Sequence, residues 1–451
     1  MGLKYEFPVV GKKVLFSMKK SLTKVITEDE FLKLAQKYSQ NFLQVYNFLQ
    51  KESRPYARRF YANLIEESEE LESFLDDHCA RDNKTWYFFC ELVASIRNIA
   101  KMAFILKHVL NRYPSYGLND NEADAFIASA KKTATFLEET IRSLYKEATN
   151  EALRLGITFP KGSPQRDFLA EINLQKRLPY TIDEDDCNPR KIVAKIATQY
   201  INMVEKFNSF GWNFGKHNRH DLKDVIPGKI NEERSRELAS HIHNIQSTYD
   251  HHIKHTQLES QDERLKRFRG YISMPLHLLS VVNWLSHLYQ RHINTVRYGT
   301  IRSEISTILN SSDISDIMVN FLMFYISKYL QTGKDLAADI LKQYIEITIC
   351  ELAVPENLGF HLRPATLVAR LATYYGTKLS LFVDGGEYDA SSVLSITLAA
   401  GVIARKGYKT VFFQGDKRVL HDLQLLAKYN YGEDEKGNQT MLPPELSHLL
   451  K

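Results

Sequence analysis

Tyr344-Ile345-Glu346-Ile347-Thr348-Ile349-Cys350 is where the hydrophobic period of this chain changes. Upstream, apolar residues recur every three or four positions. Here Ile345, Ile347 and Ile349 alternate with Glu346, Thr348 and Cys350, the period of a half-buried strand. From this point to about Tyr429 the expected elements are short and mixed. A helix is predicted over 364–375 with Leu367, Val368, Leu371 and Tyr375 facing inward. A strand over 378–383 turns at Asp384-Gly385-Gly386 into a return strand over 386–389. A helix over 392–404 ending near Gly407, a strand over 409–414 and a helix over 417–428 follow. The last buries Val419, Leu420, Leu423, Leu426 and Ala427. The order β-α-β-β-α-β-α predicts an α+β sandwich, one mostly antiparallel sheet with helices on one face. From Gly432 onward, residues 432–451 read as a loose polar tail.

Working back toward the start, the chain reads as helical. Thr27-Glu28-Asp29-Glu30 has the form of a capping box. Behind it Phe31, Leu34, Phe42, Val45 and Phe48-Leu49 recur at helical spacing. Pro55 suits the first turn of a helix running to about Asp77. Further helices are expected over about 84–112 and 121–155, the latter stopping at Gly156. Four helices with short connections predict an antiparallel bundle over residues 1–156. A short strand pair around Gly11 would use Val9-Val10 and Val14-Leu15-Phe16. Residues 157–190, rich in proline and carrying the acidic run 183–186, read as a linker. A second helical region is expected over 191–341, interrupted at Gly211, Gly215, Pro227, Gly228, Pro275 and Gly299. The fold class is thus multidomain, an all-α region followed by an α+β domain over 342–431.

The chemistry concentrates in Leu358-Gly359-Phe360-His361-Leu362-Arg363-Pro364-Ala365-Thr366. Pro364 fixes φ in a first helical turn, so His361 stands just before a helix N-terminus. Free amides and the positive end of the helix dipole favour an anion beside the imidazole. Arg363 adds a guanidinium whose fork suits phosphoryl oxygens. Gly359 lets the backbone turn ahead of the histidine. A neutral imidazole nitrogen is a good nucleophile near neutral pH.

This string resembles the active-site signature of HPr, the small phosphocarrier of the bacterial phosphoenolpyruvate:sugar phosphotransferase system. The resemblance covers about residues 343–430 and includes a second motif, Ala390-Ser391-Ser392-Val393-Leu394-Ser395. It implies an open-faced sandwich, a phosphohistidine at His361 and phosphoryl stabilisation by Arg363. It further implies support from Gly359, Pro364 and Ala365, and a regulatory phosphorylation site at Ser392. An enzyme I-type protein would be the donor, and a downstream acceptor or regulatory protein the recipient. Two departures stand out: the segment between Ser392 and the strand over 409–414 is longer than in typical members, and Leu362 replaces a small or polar residue.

Other constellations compete for attention. If one helix carried them, His251, His255 and Glu259 would share a face at i, i+4 and i+8, a spacing that suits zinc or iron. An exposed polar face is the preferred reading, with no metal expected. His241, His252 and His255 would also lie near one face, a grouping that would allow a second phosphorelay histidine. His217 and His220 sit in a loop with Lys216 and Arg219. Arg264-Leu265-Lys266-Arg267-Phe268-Arg269 is a local basic cluster suited to acidic partners, and Trp86-Tyr87-Phe88-Phe89 reads as bundle core.

The 451 residues carry a net charge of +5, with an apolar fraction of 44%. That is an ordinary globular composition, with no basic run dense enough to imply nucleic acid. The four cysteines form no CxxC pair, and no window is long and apolar enough for a membrane span. The opening residues lack an apolar signal core, and a cytoplasmic setting is expected. No cofactor motif is present. The expectation is a phosphocarrier rather than a free-standing enzyme. Two alternatives are a phosphorylation-responsive docking protein whose C-terminal domain controls the helical region, and a metalloenzyme built on His251, His255 and Glu259.

Overall fold

The computed structural model describes residues 25–51, 56–118, 123–162, 188–212, 225–226, 228–294, 305–356, 358–434 and 436–450. The segments around Gly11, Pro55, His217 and His220 therefore lie outside the described residues, as does most of 157–190. The capping box forms: the Thr27 N–H donates to Glu30 Oε2 at 3.0 Å and the Glu30 N–H to Thr27 Oγ1 at 3.2 Å. It opens α1 (Glu28–Tyr38), which meets α2 (Gln40–Lys51) at Ser39. Phe31, Phe42, Val45 and Leu49 are buried, whereas Leu34 stays exposed. Helices α3 (Arg58–Asp77), α4 (Tyr87–Arg112) and α5 (Ala123–Arg154) follow. Trp86, Tyr87 and Phe89 are core residues, as their pattern predicts.

Asn188 caps α6 (Pro189–Ser209). Then come α7 (Glu232–His252), α8 (Gln257–Gln261), α9 (Glu263–His287), α10 (Ser311–Asp316) and α11 (Phe324–Tyr344). The segments Leu288–Asn294 and Ile317–Met323 are π-helical. Helix α9 continues through Pro275. Proline supplies no N–H for the carbonyl four residues back. That carbonyl, on Tyr271, instead accepts the buried Tyr200 hydroxyl at 3.0 Å.

The helices on either side of 157–190 share one continuous core. Helices α4 and α9 run antiparallel, placing Lys101 over the Trp284 ring and His108 against His277. Phe126 of α5 stacks on Tyr113 at 4.9 Å and meets Tyr325 of α11 edge-on at 4.9 Å. Where α4 faces the π-helical turn, buried His292 Nδ1 lies 2.8 Å from Glu91 Oε2.

Beyond α11 the chain forms β1 (Ile347–Ala353), α12 (Leu362–Tyr375), β2 (Leu379–Val383), β3 (Gly386–Asp389), α13 (Val393–Lys406), β4 (Thr410–Asp416) and α14 (Lys417–Lys428). The sheet order is β1-β4-β2-β3, every pairing antiparallel. A second core gathers Phe360, Val368, Leu381, Phe413 and Leu423. The strand period holds in β1, but its parity differs from the apolar pattern. Leu352 pairs with Val411 and Cys350 with Phe413, which fixes the inward positions. Ile347 and Ile349 consequently stand exposed on the opposite face with Phe412.

The tail expected to be loose is folded. Leu446 and Leu449 are buried in the second core, and the carbonyl of Leu449 accepts Arg370 Nη1 at 3.0 Å. Its charged composition conceals two leucines at the spacing of one helical turn, and their burial holds it down.

Candidate functional site

The site begins with a buried anchor. Phe360 is fully buried, its ring 5.1 Å from Tyr431 and 6.0 Å from Phe413. Burying a phenylalanine contributes about 1.5–3 kcal/mol, enough to pin the loop. Gly359 adopts φ +62°, a conformation that costs other residues energy, and its carbonyl accepts the His361 N–H at 2.8 Å. With Phe360 held inward, its neighbours Leu358 and Leu362 project outward and are exposed. His361 lies between these extremes, its side chain 30% exposed.

His361 is the N-cap of α12, and its carbonyl accepts the Ala365 N–H at 3.0 Å. Pro364 has no N–H to offer, so the donors at this helix start are the amides of Leu362 and Arg363. Neither has a hydrogen-bond partner among the described residues. Ala365 is fully buried and packs the first turn against the core. Thus Gly359, Pro364 and Ala365 shape the loop-to-helix corner, and His361 and Arg363 present their polar ends at it.

The corner is completed by a residue the sequence did not single out. Glu433, with a side chain 1% exposed, places Oε2 2.9 Å from His361 Nε2 and Oε1 2.8 Å from Arg363 Nη1. Arg363 Nη1 also donates to the carbonyl of Gly437 at 2.9 Å. The carboxylate arrives on a compact turn in which Glu433 bridges to Gln439 and Asp434 collects the amides of Lys436 and Asn438. No spacing rule links position 433 to position 361; the turn beyond α14 brings them together. A carboxylate accepts hydrogen bonds, so the Nε2 facing it carries the ring hydrogen, leaving the lone pair on Nδ1. A cleft of about 480 Å3 opens beside His361 and Arg363 and reaches Thr366, Arg370 and Thr440.

Ser392 caps α13, its hydroxyl accepting the Ser395 N–H at 3.3 Å. The histidines of the helical region are arranged otherwise than a continuous helix would place them. Helix α7 ends at His252, and His255 has φ +69°, so His251, His255 and Glu259 do not line one helical face. The buried Glu259 carboxylate instead accepts the Tyr249 hydroxyl at 2.9 Å and the His255 N–H at 2.7 Å. Among the described residues no group of three His, Cys, Asp or Glu side chains is placed to hold a metal ion. His241 is exposed on α7. In the basic cluster, Arg264 pairs with Asp262 at 2.7 Å and Arg269 with Asp250 at 2.5 Å. No described helix is long and apolar enough to cross a membrane. Comparison of the chain with family models, with curated proteins and with solved structures finds no match in any of the three.

Proposed function

We propose that the C-terminal domain is a phosphocarrier of the HPr type, an open-faced sandwich that takes a phosphoryl group on His361 and passes it on. The observation that carries this reading is the pairing of His361 Nε2 with the buried Glu433 carboxylate. With Nε2–H engaged, Nδ1 is the nucleophile. Its lone pair attacks the phosphorus of an enzyme I-type donor's phosphohistidine, the new N–P bond forms at Nδ1, and the donor's own N–P bond breaks. The phosphorylated ring carries positive charge, which the Glu433 carboxylate offsets at 2.9 Å. Arg363 and the open amides of Leu362 and Arg363 favour the incoming anion. Transfer to a downstream acceptor reverses these steps. The protein's contribution is positioning and charge stabilisation.

The test is phosphate mapping on the full chain with phosphoenolpyruvate and an enzyme I-type donor. Acid-labile label on His361 is expected, and none in His361→Ala. Label persisting in that variant refutes the reading.

A second reading, that phosphorylation controls the helical region, draws on the far end of α12. There the carbonyls of Tyr374 and Tyr375 accept Asn202 Nδ2 at 2.7 Å and Thr198 Oγ1 at 3.3 Å from α6. One helix thus joins the reactive corner to the helical core. Comparing protease cleavage before and after phosphorylation tests it, since an unchanged pattern leaves a plain carrier.

A further inference from the structure

Where α6 meets α12 and α14, a cleft of about 810 Å3 lies between the two cores, remote from the His361 corner in its lining residues. Five cationic side chains line it: Arg190, Lys191 and Lys195 from α6, and Lys417 and Arg418 from α14. Three carboxylates share the lining, and each is engaged on its own side. Glu346 pairs with Lys417 at 3.0 Å, Asp416 with Arg418, and Asp422 accepts the Tyr375 hydroxyl at 2.7 Å. On the α6 side no such carboxylate compensation is found among the described residues. Arg190 lies 4.8 Å over the Tyr344 ring and donates to the carbonyl of Gln343. Lys191 and Lys195, one turn apart on the same helix, have no carboxylate partner among the described residues.

The cleft also has an apolar wall, formed by Ala194, Ile345 and the tyrosines 344, 374 and 375. Its volume falls within the roughly 300–1,000 Å3 of small-ligand sites, which favour the seams between domains. Lysines without a carboxylate partner among the described residues, lining one cleft with aromatic rings, suit an amphipathic anion: charge for the lysines, a flat apolar part for the tyrosines. A flat surface would suit a macromolecule; a concave seam of this size suits a small one.

We propose that this cleft binds a nucleotide-class organic phosphate, its phosphates held by Lys191 and Lys195 and its ring system laid against the tyrosine wall. The site is independent of the phosphocarrier reading, since none of its residues belongs to the His361 corner.

Isothermal titration calorimetry of the full chain with ATP tests it, with tripolyphosphate and adenosine as separate titrants. Saturable one-to-one binding of ATP is expected, with each fragment binding at least tenfold more weakly. A Lys191→Ala/Lys195→Ala double variant, its fold checked by circular dichroism, should lose tenfold or more in affinity, whereas His361→Ala should bind as the native chain does. Absence of binding at millimolar ATP, undiminished affinity in the double lysine variant, or tripolyphosphate binding as tightly as ATP would each overturn the proposal.

Discussion

His361 Nε2 and Glu433 Oε2 lie 2.9 Å apart although 72 residues separate them in the chain. The contact decides which face of the imidazole is occupied and which is open. It also sets a buried carboxylate against a ring that would become positive under the proposed phosphorylation.

Removing that charge separates orientation from mere packing. Glu433→Ala is expected to slow phosphorylation of His361 on the order of a hundredfold, the scale of lost proton-positioning effects, and Glu433→Gln less, since its amide oxygen still accepts from Nε2–H. Nitrogen NMR of the labelled histidine reads the tautomer directly. The native chain should show hydrogen on Nε2, and the alanine variant a mixture. An unaltered tautomer in Glu433→Ala would show that the carboxylate does not set it.

Arg363 bonds both Glu433 and the carbonyl of Gly437 through one guanidinium nitrogen, leaving the rest of its fork directed elsewhere. A lysine supplies one charged point and cannot serve the carboxylate, the carbonyl and an incoming phosphoryl group together. Arg363→Lys should therefore accept phosphate at about a tenth of the native rate or less and lose on the order of 1 kcal/mol of stability, because the buried Glu433 carboxylate keeps only part of its pairing. Time-resolved labelling and chemical denaturation measure the two quantities.

The helical core should weaken in acid. Burial first, and then neighbouring charges with Arg58 among them, hold His277 and His108 down to about 4 from an ordinary 6.5. In the unfolded chain these histidines take up protons first. Stability is thus complete above about 6.5 and declines as the pH falls toward 4. The denaturant midpoint should follow that course, and His277→Leu should flatten it. A native-like slope in His277→Leu would assign the acid sensitivity to other groups.

Gly333 of α11 packs against the Tyr200 side chain of α6. A β-carbon there would come within 2.8 Å of Tyr200 Cζ and 2.9 Å of Cε1. Tyr200 is held by its hydrogen bond to the carbonyl of Tyr271 and cannot easily retreat. Alanine normally favours a helix by about 1 kcal/mol, yet overpacking costs about 1–3 kcal/mol. Gly333→Ala should lower the melting temperature by about 1–2 °C, as calorimetry would show.

The C-terminal elements were legible because each has a local cause. The period change at Tyr344, the Asp384-Gly385-Gly386 turn and the serine before α13 place the elements within a few residues of their observed bounds. His361 and Arg363 were legible for the same reason, since a proline in the first turn marks a helix start. Glu433 was not, because its role comes from a turn whose bonds run among Gly432, Asp434, Asn438 and Gln439, with nothing in its own neighbourhood to announce a partner. The exposed Ile347 and Ile349 show a second limit: alternation reveals that a strand has two faces, and only the partner strand decides which is inward. In the helical region, the presumed His251–His255–Glu259 face failed at the helix end after His252, where Glu259 is engaged by backbone and tyrosine.

The turn that carries Glu433 also changes what counts as the smallest working unit. A fragment ending at 431 would keep the strands, the motif and His361. It would nonetheless leave Arg363 facing water and Arg370 without the carbonyl of Leu449. The segment that seats Leu446 and Leu449 in the second core is also the one that carries the carboxylate facing His361, so trimming for convenience would take both away at once.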